Sequence, residues 1–109
     1  MKIYIAGPIT GIKDYKINFE KAAEKIKSKG HEPVNPCLLE TILDPRTTSW
    51  NEYLLACLGL LRASSAIPLL DGWERSWGAQ REHREAIALG MTIYKDVDAI
   101  KEVIKNENE

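Results

Sequence analysis

Only two cysteines, two methionines and one phenylalanine occur among the 109 residues. Cys37 and Cys57 lie in separate segments with no CxxC pair. They therefore read as reduced, partly buried thiols of a reducing compartment rather than as a disulfide framework. No apolar stretch approaches the roughly 20 residues that a membrane span requires, so no membrane partner is expected. Nor does a signal peptide open the sequence, which begins directly on the strand-like run Lys2-Ile3-Tyr4-Ile5-Ala6; a cytoplasmic location is expected. Excess positive charge is missing too: 15 Lys and Arg stand against 16 Asp and Glu, for a net charge of −1. Without a basic stripe, nucleic acid is not an expected partner, whereas a free mononucleotide needs only one local anion site. His31 and His83 lack metal-ligand spacing, so neither a metal nor another cofactor is expected. Internal repeats and low-complexity tracts are absent.

What remains is the balance of a soluble globular domain, 44% hydrophobic and 28% charged. The length suits one domain over residues 1–105, with 106–109 as a frayed tail. A chain this short buries only about two-thirds of its unfolded surface, which favours a homodimer or higher homo-oligomer.

The apolar pattern alternates between strand and helix periods. Residues 2–6 read as a buried strand stopped by Gly7-Pro8. Phe19, Ala22, Ala23 and Ile26 recur at helical spacing over residues 18–29, and Gly30 closes that helix. Residues 31–36 form a short second strand running into a loop, where prolines argue against a helix. Residues 38–48 are ambiguous, with room for one helical turn. Ser49-Trp50-Asn51-Glu52 has the form of a capping box and opens a helix over residues 50–62. Residues 66–70 read as a third strand despite Pro68, which cannot donate to a ladder. A loop over 71–78, a helix over 78–89 and a fourth strand over 91–94 follow. Asp96 or Asp98 then caps a terminal helix carrying Ile100, Val103 and Ile104.

This alternation predicts an α/β fold: a flavodoxin- or Rossmann-like parallel sheet of four to five strands with helices on both faces. Ligands of such folds bind beyond the carboxyl ends of the strands. The relevant loops hold Gly7, Pro8 and Ile9, then Asn35, then residues 71–78. The Gly7-Pro8-Ile9-Thr10-Gly11 loop lets backbone N–H groups approach a ligand, or is a plain turn. Ser76 and Gly78 lie where the next helix starts, favourable for a phosphate; for Ser76 a simple N-cap is the competing reading. Glu82 lies one turn further on, facing either the same crevice or solvent. Trp73 and Trp77 suit stacking on a base or packing at a subunit interface. Trp50 and Tyr53 read as helix-packing residues, and His83 as a surface or packing residue on another face from Glu82.

The segments KIYIAGPITG, HEPVNP and LLDGWERSWGAQREHREAIALG together resemble the nucleoside 2-deoxyribosyltransferase-like superfamily. The nearest part is a branch of short bacterial and phage proteins (DUF4406-like), related to deoxynucleoside 5′-monophosphate N-hydrolases. The resemblance runs to Tyr94. It implies that Glu82, eight residues before Gly90, is a nucleophile, and that Tyr4 stands beside the active site. It also implies that Ser76, six residues before Glu82 in an S-x-G-x-x-x-E arrangement with Gly78, binds a 5′-phosphate. One departure is clear: where relatives carry an active-site Asp early in strand three, this chain has Ser65. A neighbouring subunit's C-terminal loop, which completes the site in relatives, has no counterpart after Tyr94.

The function so implied is cleavage or exchange of an N-glycosidic bond in a nucleoside or nucleoside 5′-monophosphate, through a covalent glycosyl-Glu82 intermediate. Tyr4 would hold the nucleophile and Asp71 would protonate the departing base. The competing reading is a non-catalytic module that binds a nucleotide or an ADP-ribose-like metabolite on the same scaffold, which the Ser65 departure favours.

Overall fold

The computed structural model describes residues 1–103. Four strands, β1 (Lys2–Tyr4), β2 (Glu32–Val34), β3 (Ala66–Pro68) and β4 (Thr92–Tyr94), form one parallel sheet in the order β2-β1-β3-β4. Helices α1 (Tyr15–Ser28), α2 (Trp50–Arg62) and α3 (Trp77–Ala88) connect them. This is the single-domain flavodoxin-like α/β fold that the alternating pattern predicts. Among the described residues no helix is long and apolar enough to cross a membrane.

Side-chain alternation along β1 assigns the two faces. Ile3 and Ile5 pack with Phe19, Ala22 and Ile26 of α1 and with Val97 and Ile100. Tyr4 and Ala6 point the other way, into Cys57, Leu58 and Leu61 of α2 and Ala86 of α3. Both faces are therefore covered, which is why β1 and β3 read as unbroken apolar runs rather than alternating ones. A fully buried Ile or Leu at these positions stabilises the fold by about 1.5–3 kcal/mol.

Pro68 explains why the β1–β3 ladder is shorter than the apolar runs. Its carbonyl accepts from Ala6 N–H, just past the end of β1, at 3.2 Å, and a strand residue's N–H and C=O point to the same side. The missing proline N–H therefore faces β1, and the ladder breaks there. It resumes through Leu70 N–H to Ala6 O at 2.8 Å and an isolated bridge between Ala6 and Leu69.

Helix α2 starts on the expected capping box: Ser49 Oγ accepts from Glu52 N–H at 3.1 Å, and the Glu52 carboxylate accepts from Ser49 N–H at 2.9 Å. Two expectations need correction. The ambiguous 38–48 segment contains a 3-10 helix that begins earlier, Pro36–Thr41, because proline fits the first helical position, where no N–H is needed. The terminal helix expected after Asp96 is only a 3-10 turn, Val97–Ala99, capped by Asp96, and Ile100 is already extended. The reason is Lys29, whose ammonium donates to the carbonyls of Val97, Asp98 and Ile100 at 3.2, 3.0 and 2.6 Å. Val103 N–H likewise donates to Lys29 O at 2.9 Å. Carbonyls that a helix would use are thus taken by a neighbouring side chain. Ile104 and the expected tail at 106–109 lie outside the described residues.

Candidate active site

Going from β1 to β2 the chain steps one way along the sheet; going from β2 to β3 it crosses to the other side of β1. At such a reversal the exit loops of β1 and β3 diverge and open a crevice. A cleft of about 1150 Å3 lies there. Its lining includes Tyr4, Gly7, Pro8 and Ile9 from β1 and its exit loop, and Asp71, Ser76, Gly78 and Glu82 from β3 onward.

At its floor the Tyr4 hydroxyl donates a hydrogen bond to Glu82 Oε2. Tyr4 is fully buried, and Glu82, 6% exposed, is the one buried charged residue among the described residues. Glu82 reaches this position because α3 begins at Trp77, which puts Ala79, Glu82 and Ala86 on its inward face. The cost of burying a carboxylate pushes its pKa up to about 7, against the opposing effect of the Tyr4 hydrogen bond. Burial, and then the nearby Glu82 charge, hold the Tyr4 hydroxyl well above its ordinary range. The Cys57 thiol, also lining the cleft, is raised to about 11 by burial first and by Glu82 second. Both cysteines are buried and free.

At the start of α3, Ser76 Oγ accepts from Ala79 N–H at 3.2 Å, so Ser76 is an N-cap that also lines the cleft. The cap uses an oxygen lone pair and leaves the hydroxyl proton free to donate. Among the described residues the N–H groups of Trp77 and Gly78 have no backbone partner, as the first turn of a helix requires. A Cβ built on Gly78 would meet nothing within 4 Å. Arg75 lines the same end, exposed, and makes no ion pair among the described residues.

Gly7 is required for a reason other than ligand approach. A Cβ there would lie 2.7 Å from the Leu70 Cβ, so only glycine lets the β1 and β3 exit loops cross. Gly72, at φ +85°, supplies the left-handed turn that sends the chain from Asp71 toward α3. Asp71 itself is exposed at the rim.

Other residues fall elsewhere. Asn35 does not line the cleft; its side chain accepts from Cys37 N–H at 3.0 Å and caps the 3-10 helix. Ser65 N–H donates to Lys2 O at 2.8 Å, at the amino ends of the strands. That is the opposite end of the sheet from the cleft, so the departure at this position does not alter the cleft lining. Trp73 packs in the core beside α3, with its ring 4.5 Å from that of His83. Trp50 is 52% exposed and lines the cleft, not the helix packing expected of it. Trp77, 78% exposed, lines the cleft as well.

Cys57 and Glu40 are among the cleft residues that escaped the sequence reading. Cys57 follows Tyr53 by four residues, and that spacing on one helix face was the available signal. Glu40 belongs to the aperiodic segment after β2 and carried no signal at all.

No curated protein matches the chain significantly. Among solved structures, the fold is similar to that of a 2-desoxiribosyltransferase from Leishmania mexicana, with a TM-score of 0.62 and 24% sequence identity. That match covers 84% of this chain and 61% of the other, so this chain spans less than two-thirds of that relative's length. The family model described as "Domain of unknown function (DUF4406)" matches residues 1–95, which hold all four strands and every cleft residue named above; the chain belongs to that family.

Proposed function

We propose that this protein cleaves or exchanges the N-glycosidic bond of a nucleoside or nucleoside 5′-monophosphate. The observation that carries the reading is the buried Glu82 carboxylate, bonded to the Tyr4 hydroxyl at the floor of a cleft at the β1/β3 switch point. The fold shared with the 2-desoxiribosyltransferase supports it.

In this scheme the ionised Glu82 oxygen attacks C1′ of the sugar. The C1′–N bond breaks with its electron pair leaving on the base nitrogen, and Asp71 at the rim delivers a proton to the departing base. Tyr4 orients the nucleophile, and its hydrogen bond favours the charged form that attack requires. Water then attacks C1′ of the glycosyl ester and passes its proton to Asp71, which frees the sugar and restores both the Glu82 carboxylate and the acid form of Asp71. A second base attacking instead gives exchange. A 5′-phosphate is bound by the Ser76 hydroxyl, the free N–H groups of Trp77 and Gly78, and Arg75.

The test is release of free base, measured by chromatography, from a panel of nucleosides and 5′-monophosphates in the ribose and deoxyribose series. Release by the unaltered protein that vanishes in Glu82→Gln supports the reading. No release from any substrate by folded protein overturns it in favour of a non-catalytic nucleotide-binding module. Adding a second base separates hydrolysis from transfer.

A further inference from the structure

The scheme above engages the β1 and β3 sides of the cleft and leaves its β2 side unassigned. At about 1150 Å3 the cleft exceeds the roughly 300–1,000 Å3 usual around a drug-sized ligand, and a mononucleotide is of that size. Much of the added wall comes from the chain between β2 and β3, which contributes Leu43, Pro45, Trp50 and Leu54. Leu43 and Leu54 are half-buried, and Trp50 is 52% exposed. The capping box pins the backbone on either side of Trp50, at Ser49 and Glu52, so the indole stands on a fixed helix start.

The polar side chains of this wall are either engaged or indifferent to what they face. Glu40 Oε1 accepts from the Tyr15 hydroxyl at 2.7 Å, and its buried Oε2 pairs with the Lys16 ammonium at 3.4 Å. The Tyr53 hydroxyl donates to Pro36 O at 2.9 Å. The hydroxyls of Thr48 and Ser49 also line the cleft, but a hydroxyl rotates to donate or accept and does not tell an amino group from a carbonyl. The Trp50 indole N–H sits on a ring open to solvent, where a ligand acceptor only replaces water.

The strand order puts the β2 and β3 exits on opposite sides of β1. A 5′-phosphate drawn to Arg75, Ser76 and the α3 N-terminus on the β3 side, with C1′ at Glu82, turns the base toward the β2 side. There Cys57 packs with Tyr4 at the floor, and Trp50 lies seven residues nearer the start of α2, about 10 Å along its axis. A nucleobase is shorter than that, so the hydrocarbon wall continues past its outer edge. We infer that the β2 side of the cleft is an apolar subsite for nucleotides whose base carries an alkyl or aryl group on the edge remote from the sugar. The inference rests on the nucleotide-substrate reading above and names its substrate class. Recognition there comes from hydrocarbon leaving water rather than from hydrogen bonds to the base edge.

The experiment measures binding by calorimetry to the Glu82→Gln protein, chosen to prevent turnover. Three ligands are compared in both sugar series: adenosine 5′-monophosphate, its analogue with a benzyl group on the exocyclic nitrogen, and inosine 5′-monophosphate, with a carbonyl in place of the amino group. The benzyl compound is expected to bind about tenfold tighter than its parent or more. The adenosine and inosine compounds are expected to bind within about threefold of each other. Adding Trp50→Gln, which removes part of the apolar wall, is expected to cut the benzyl preference by about threefold or more. A benzyl preference below about tenfold, or a wider gap between amino and carbonyl, overturns the apolar subsite and leaves the nucleotide reading standing. A smaller effect of Trp50→Gln in a folded protein does the same for the placement of the group. Failure of all three ligands to bind overturns both readings. The comparison between ligands needs no change in the wall, so it holds even if the Trp50 variant does not fold.

Discussion

The Tyr4 hydroxyl on β1 donates its hydrogen bond to the Glu82 carboxylate on α3, across a sequence separation of 78 residues. Both side chains are buried; the Tyr4 hydrogen bond opposes the rise that burial gives Glu82, whereas Glu82 adds to the rise that burial gives Tyr4.

Base release should rise with pH through about 7, because attack needs Glu82 ionised and burial holds its pKa at about that value. Tyr4→Phe removes the hydrogen bond that favours the charged form, so the midpoint should move to higher pH. Initial rates across pH 5 to 9 for both proteins check this; a profile unmoved by Tyr4→Phe would contradict the assigned role of Tyr4.

Glu82 should also cost stability as pH rises. In the unfolded chain it ionises near its ordinary 4.5, whereas the folded protein keeps the proton up to about 7. Between those values the folded state binds more protons than the unfolded state. Stability from this group is therefore complete below about 4.5, falls as pH rises, and levels off above about 7. Glu82→Gln, which cannot ionise, should be more stable than the unaltered protein at pH 8, by on the order of 3 kcal/mol at most. At pH 4 the two should differ little. Urea denaturation at the two pH values makes the comparison.

Gly78→Ala should separate folding from binding. The added methyl meets nothing in the protein within 4 Å, and alanine is the better helix former. Tm should hold or rise slightly, while 5′-monophosphates bind more weakly because the methyl stands where a phosphate approaches the free N–H groups. If nucleotide affinity is unchanged, the phosphate lies elsewhere.

Lys29→Met should destabilise the fold by roughly 2 kcal/mol or more, since three carbonyls lose one charged donor. Hydrogen exchange around residues 97–103 should accelerate first, a loss that a methionine of similar length does not make good.

The sequence foretold much of the fold because its local signals agree with its tertiary structure. Ser49 and Glu52 carry the α2 cap within four consecutive residues, and the Ser76 cap of α3 is equally local. The expected terminal helix failed for the opposite reason: Lys29 is remote in sequence from the carbonyls it binds. Asn35 was expected at the ligand, but its short side chain found a backbone N–H two residues away.

By itself the sequence determined the alternation of strands and helices, the parallel sheet and the grouping of Tyr4, Glu82, Ser76 and Gly78 as candidates. The fold follows from periodicity, caps and turn residues, which act over a few positions, whereas Tyr4 and the role of Glu82 came from the family resemblance. Only the tertiary structure decided that Glu82 is buried against Tyr4, that Ser65 lies at the far end of the sheet, and that Glu40, bonded to Tyr15, lines the cleft. Burial and pairing of a side chain depend on what other segments bring to it, and one segment's pattern holds no record of that.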